Sequence, residues 1–177
     1  LQQVAQVWNS GFDLGSFDPA LQVSSGPFLV KSVAPDGAVT LVRNDNVLPL
    51  SANGSKVLVV GSRAGFVKEF GEALGKTGAN VSVVTFDDHP TADQAAQGQQ
   101  AAGSVDAVVA LTYNVAEHTE QADLVNTLQG AGRKVIAVAV GNPYDVGRYG
   151  SAAALCTYSD QSLMATPLAT IITGGQK

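Results

Sequence analysis

An α/β fold is what this sequence predicts: a three-layer, doubly wound, mainly parallel sheet of five to six strands in the flavodoxin-like order 2-1-3-4-5. Three observations carry that expectation. From Lys56 onward, short β-branched runs alternate with segments of helical length. The runs are continuously apolar rather than alternating, as strands covered on both faces require. The connections are about two to six residues long, the range that βα units use. Alternation of this kind specifies a parallel sheet, and right-handed crossovers leave few topologies to choose from.

The elements follow in order. Leu1, Val4, Ala5, Trp8 and Phe12 recur at spacings of three and four, which predicts a helix over 1–14 that stops at Gly15 and the turn FDPA. Residues 21–37 carry Ser24-Ser25-Gly26-Pro27 and Pro35-Asp36-Gly37, loop chemistry around a short extended piece, PFLVKSVA. AVTLVRN (38–44) alternates and is strand-like, DNVLPL (45–50) is a turn, and SANGS (51–55) reads as a second linker. KVLVVG (56–61) is the first buried strand. Phe66, Val67, Phe70, Ala73 and Leu74 then mark a helix over 63–78 that ends at Gly78. NVSVVTF (80–86) is the second strand, and Thr91 caps an Ala-rich helix over 91–103. VDAVVALTY (105–113) is the third strand, and Ala122, Leu124, Val125 and Leu128 place a helix over 116–132. KVIAVAVG (134–141) is the fourth strand, and Asn142-Pro143 opens a short helix over 142–150. AAALCTY (152–158) is the fifth strand, and Asp160 caps a last helix over 160–175, in which Pro167 demands a kink or a late start.

Composition narrows the function classes. Ten Lys and Arg against fifteen Asp and Glu in 177 residues give a net charge of −5 and a pI near 4.8, which leaves no electrostatic footprint for nucleic acid. No apolar run approaches the ~18 residues of a membrane span. The single cysteine, Cys156, excludes an intrachain disulfide and reads as a small core residue rather than a nucleophile. The organisation expected is a helix and turn over 1–20, a linker with a first extended segment over 21–55, and an α/β domain over 56–177. The start LQQVAQVW has no basic region and no initiator Met, so the chain reads as a processed protein or a piece of a larger one.

In an open parallel sheet, ligands meet the loops at the carboxyl ends of the strands, beside the point where strand order reverses. That points to Gly61-Ser62-Arg63, Thr112-Tyr113-Asn114 and Gly141-Asn142-Pro143-Tyr144-Asp145. VVGSRAG lacks the glycine pattern of a dinucleotide site and the Gly-Lys-Ser/Thr of a phosphate loop, and it is a poor match to a flavin mononucleotide loop, so no cofactor is expected. His89 and His118 lie far apart in sequence and read as solvated surface, and no metal site is expected from them. No G-x-S-x-G elbow is present for a serine triad. Glu117 and Glu120 share a helical face and suit either a sugar-flanking carboxyl pair or a helix N-terminus, which favours acids. Tyr113 and Asn114 suit sugar stacking and hydrogen bonding, or, for Asn114, capping of the next helix.

Four segments in register resemble the C-terminal domain of family 3 glycoside hydrolases. GAVTLVRNDNVLPL (37–50) is similar to the stretch that opens that domain, and KVLVVG, VDAVVALTYN and KVIAVAVGNPYDV follow in its order and spacing. QVWNSGFDLGSFD (6–18) is similar to the helix and turn that join it to the catalytic barrel, and TYN and NPYD look most like the β-N-acetylglucosaminidase branch, especially its actinobacterial secreted members. The resemblance implies a nucleophilic Asp on a TIM barrel that this chain lacks, hence no catalytic residue here and no turnover from the chain alone. It implies substrate-binding roles for Tyr113, Asn114, Glu117, Asn142, Tyr144 and Asp145, with carbohydrate of the N-acetylglucosamine type as ligand in company with the barrel. Arg43 and Asn44 match a family Lys-Asn and imply a domain interface. The Gly and Arg context of the acid/base Glu of the β-glucosidase branch is absent around TYNVAEHTEQAD, and relatives continue beyond GGQK. The resemblance further implies a secreted or extracytoplasmic location. An apolar mating face at Leu48-Pro49-Leu50 and Trp8, left uncovered, would favour a homodimer. The rival expectation from the residues alone is a free-standing flavodoxin-like module for a small polar ligand or for protein interaction.

Overall fold

A computed structural model of the chain describes residues 28–33, 39–43, 47–150 and 153–174. Among the described residues seven strands form one sheet: β1 (Phe28–Val33), β2 (Val39–Arg43), β3 (Lys56–Gly61), β4 (Asn80–Thr85), β5 (Ala107–Thr112), β6 (Val135–Ala139) and β7 (Ala153–Cys156), in the spatial order β1-β2-β7-β6-β5-β3-β4. The helices are α1 (Ala64–Gly75), α2 (Ala92–Ala102), α3 (Thr119–Gly130) and α4 (Ala165–Thr173), with 3₁₀ turns at Pro143–Arg148 and Ser162–Met164.

Strands β3 to β7 are all parallel, and taken alone they stand in the order 2-1-3-4-5, as the sequence predicts. Two strands extend this sheet beyond the five or six expected. Within the segment read as a linker lies an antiparallel ribbon, β1 against β2 in the register Phe28↔Arg43 to Val33↔Val39, and β2 meets β7 at Arg43↔Ala154. The helix and turn expected over 1–20, Trp8 and Asn44 lie outside the described residues.

Period-two alternation sorts the strand side chains onto two faces. Val57 and Val59 of β3, with Val109 and Leu111 of β5, join Phe66, Phe70 and Leu74 of α1 and Leu168 and Ile172 of α4 in one core. Leu58 and Val60, with Val108 and Ala110, join Ala102 of α2 and Leu124, Val125 and Leu128 of α3 in the other. Layers on both faces explain why β3, β5, β6 and β7 are almost continuously apolar, whereas the edge strand β4, NVSVVT, is exposed or half-buried along its length.

Leu48 and Leu50 belong to the first of these cores, and the Leu50 N–H donates to the Ile172 carbonyl at 2.7 Å. They therefore offer no apolar mating face, which corrects the sequence expectation; of the three residues only Pro49 is exposed. Burial wins because the turn folds back onto α4 instead of leading away from the sheet.

Local chemistry fixes the helix ends. Thr91 caps α2 in a reciprocal box: its hydroxyl accepts from the Gln94 N–H at 3.2 Å, and Gln94 Oε1 accepts from the Thr91 N–H at 2.9 Å. Asp160 does not cap the last helix, because a 3₁₀ turn over Ser162–Met164 precedes α4. Pro167 thereby becomes the third residue of α4, where its missing N–H costs no intrahelical bond, and this is the late start that the proline demands.

Candidate functional site

The carboxyl ends of β3 and β5 lie side by side, and their crossovers leave toward opposite faces: α1 packs on one, α3 on the other. This is the reversal point of the sheet, and the loops after β3, β4, β5 and β6 crowd around it.

Arg63, after β3, lays its guanidinium over the Tyr113 ring, 3.6 Å from the centroid. Its Nη2 lies 3.4 Å from Asp88 Oδ2, in the loop after β4, with both side chains about one-third exposed. Gln121, fully buried in the first turn of α3, ties these loops from beneath. Its Oε1 accepts from the Tyr113 N–H at 3.0 Å, and its Nε2 donates to the Asp88 carbonyl at 2.7 Å and the Tyr113 carbonyl at 3.2 Å. Gly141 follows at φ +104°, and a Cβ there would stand 3.1 Å from Tyr113 Cε2, so only glycine lets the β6 loop come this close to the ring.

Asp145 carries the β6 loop across to the β5 loop. It is 1% exposed, and its Oδ2 accepts from the Val115 N–H at 3.1 Å. Burial pushes its carboxyl above the usual aspartate range; backbone N–H groups of Val115, Ala116 and Asn114, and the charge of Arg148, pull the other way. The folded state therefore holds the Asp145 proton more tightly than the unfolded chain. Its contribution to stability is greatest in acid and falls as pH rises through its folded-state value. Asp145→Asn keeps an acceptor for Val115 and removes the buried charge, so its unfolding free energy is expected to fall less steeply above the ordinary aspartate range. Asp145→Ala strands a buried N–H and is expected to cost about 1–3 kcal/mol at neutral pH. Urea titrations of the three proteins at stepped pH check both outcomes.

The six residues singled out for substrate binding fall in these two adjacent loops. Tyr113 is half-buried beneath Arg63. Asn114 sits at φ +49°, and its carbonyl, not its side chain, receives the Glu117 and His118 N–H groups at 2.9 and 3.0 Å. Glu117 is exposed in that turn, outside α3, so it does not share a helical face with Glu120 as the spacing suggested. Asn142 caps the 3₁₀ turn by accepting the Tyr144 N–H at 3.1 Å. Tyr144 is 86% exposed, an uncovered aromatic at this end of the sheet. Asp145 is spent on the backbone of its neighbour loop.

Arg63, Asp88 and Gln121 were not singled out by sequence reasoning. The signal for Gln121 was present: it stands four and seven residues before Val125 and Leu128, on the apolar face, where a polar side chain must find buried partners. His89 is exposed as expected, but it meets half-buried His118, a contact that their separation in sequence did not suggest. Their rings meet edge to face, with His118 Nδ1 3.0 Å from His89 Nε2. Cys156 is buried, and desolvation pushes its thiol up to about 11, so it packs as a neutral core residue.

No family profile matches the chain, and no curated protein is significantly similar to it. Solved structures are. A glycoside hydrolase family 3 β-N-acetylglucosaminidase from a Paenibacillus species aligns with 72% of this chain at 25% identity and a TM-score of 0.63, over 28% of its own length. A fungal multi-domain β-N-acetylglucosaminidase of the same family aligns with 79% at 22% identity and a TM-score of 0.66, over 17% of its length. A Listeria innocua β-glucosidase aligns with 80% at 19% identity and a TM-score of 0.66, over 24% of its length. The chain thus has a fold shared with one part of family 3 enzymes and spans about a quarter or less of their length.

Proposed function

We propose that this chain is the C-terminal α/β domain of a family 3 glycoside hydrolase of the β-N-acetylglucosaminidase kind, non-catalytic alone, whose carboxyl-end loops line one wall of a sugar site completed by a TIM barrel. The observation that carries the reading is the similarity just described: a fold with this strand order aligns with a minor part of much longer hydrolases. The loops support it chemically. Tyr144 offers an open ring to the apolar face of a sugar, and Asn114 and Glu117 offer hydrogen-bonding groups beside it. Tyr113, Arg63 and Gln121 hold that rim in place from below.

Hydrolysis with retention needs two carboxyl-type groups about 5–5.5 Å apart across the scissile bond. The barrel supplies the nucleophile in this reading, so the domain alone binds the sugar weakly and turns nothing over. The carbohydrate partner, an extracytoplasmic location and packing of Arg43 against the barrel belong to the same proposal. The experiment that tests it is hydrolysis of a chromogenic β-N-acetylglucosaminide by the chain alone, beside the polypeptide encoded by its complete reading frame.

A further inference from the structure

We propose that His89 and His118 form a two-imidazole chelate for a divalent transition-metal ion of the Zn²⁺ class, with Glu120 orienting His89 from its far side. The argument starts from the ring nitrogens. His118 Nδ1 and His89 Nε2 are 3.0 Å apart, and His89 Nδ1 is 3.6 Å from Glu120 Oε2. A carboxylate only accepts, so Glu120 favours the His89 proton on Nδ1 and leaves a lone pair on Nε2. In that tautomer His118 Nδ1–H donates to His89 Nε2.

A tetrahedral Zn²⁺ with Zn–N bonds of about 2.0–2.1 Å holds neighbouring ligand nitrogens about 3.3 Å apart. The observed pair is within about 0.3 Å of that edge. The rings now meet edge to face with their centroids 4.3 Å apart, so binding requires them to turn until both lone pairs converge on the ion. From that tautomer it also requires the His118 proton to move from Nδ1 to Nε2. His89 is 64% exposed, which leaves its ring free to turn. The Glu120 carboxylate then completes a carboxylate–histidine–metal arrangement, the usual support for a ligating imidazole.

The backbones that carry the two rings are fixed to each other. Gln121, three residues after His118, donates to the carbonyl of Asp88, the residue before His89. Asp88 is further held by Arg63. Exposed Asp87 and Glu117, and the net charge of −5, favour a cation in this neighbourhood. Among the described residues no group of three or more His, Cys, Asp and Glu side chains converges on one point, so water completes the coordination.

The chain contains only these two histidines and one buried cysteine, which makes the test clean. Calorimetric titration of the whole chain with ZnCl₂ is expected to show one saturable site, with Mg²⁺, which prefers oxygen ligands, giving no heat in the same cell. His89→Ala and His118→Ala are each expected to abolish that site, and Glu120→Ala to weaken it about tenfold. Zn²⁺ is expected to shift the imidazole ¹⁵N resonances of His89 Nε2 and His118 Nδ1 toward metal-bound values. Absence of saturable binding up to about 1 mM Zn²⁺ overturns the proposal, as does binding that survives both alanine variants with native circular dichroism.

Discussion

Gln121→Leu is expected to lower the unfolding free energy by about 3 kcal/mol, since each buried polar group left without a partner costs about 1–3 kcal/mol. The wild-type side chain is fully buried and saturates one N–H and two carbonyls, on Tyr113 and Asp88. Leucine has nearly the same volume, so it creates no cavity, and the loss isolates the hydrogen bonds. Some of the freed carbonyl groups regain water because Tyr113 and Asp88 are only half-buried, which keeps the total below the sum of three full penalties. Urea unfolding should show a lower midpoint with an unchanged slope. Amide exchange should quicken first at 87–90 and 112–116, the loops that Gln121 joins. A loss under about 1 kcal/mol would mean that these loops hold themselves without it.

Gly61→Ala is expected to cost about 3 kcal/mol or more, at or above the upper end of what overpacking a core costs. A Cβ at this position would stand 2.5 Å from the Leu111 carbonyl oxygen, 2.9 Å from Leu111 Cβ and 3.0 Å from Val67 Cγ2. The obstacle is the backbone of the paired strand β5, which cannot move aside without breaking the parallel ladder at Gly61↔Leu111. Gly65→Ala is the matched control: nothing lies within 4 Å of its Cβ, and it sits in the first turn of α1. Alanine there is expected to stabilise by about 0.5–1 kcal/mol. Opposite signs from two glycines four residues apart would show that the close approach of β3 to β5, not helix propensity, sets the requirement at Gly61.

The parallel core was legible because burial on both faces writes itself into continuous apolar runs such as KVLVVG and KVIAVAV, and because Thr91 and Asn142-Pro143 mark helix starts locally. The extended PFLVKSVA and the strand-like AVTLVRN were legible as well, but their antiparallel pairing and their docking beside β7 were not, since the turn chemistry between them reads equally as linker. The start of α3 was set three residues too early. Asn114 adopts a left-handed conformation, and Asp145, thirty residues away, takes the Val115 N–H; neither is visible in the local pattern. The two loops that carry Tyr113 to Glu117 and Asn142 to Asp145 were singled out from strand ends and from the resemblance, and the structure places them side by side at the carboxyl end of the sheet. The Arg63–Tyr113 stack, the Arg63–Asp88 pair and the His89–His118 contact were not, because each joins residues 25 or more apart that only the folded sheet brings together.

The claim at the centre of this account is that the sheet's carboxyl-end rim is half of a sugar site whose reacting groups lie on another domain. The most direct measurement is the release of chromophore from a β-N-acetylglucosaminide under identical conditions by this chain and by the polypeptide of its complete reading frame. The account predicts release by the longer polypeptide and none above the buffer rate by these 177 residues. Sustained release by the chain alone, or none by a properly folded longer polypeptide on any β-glycoside, would contradict it.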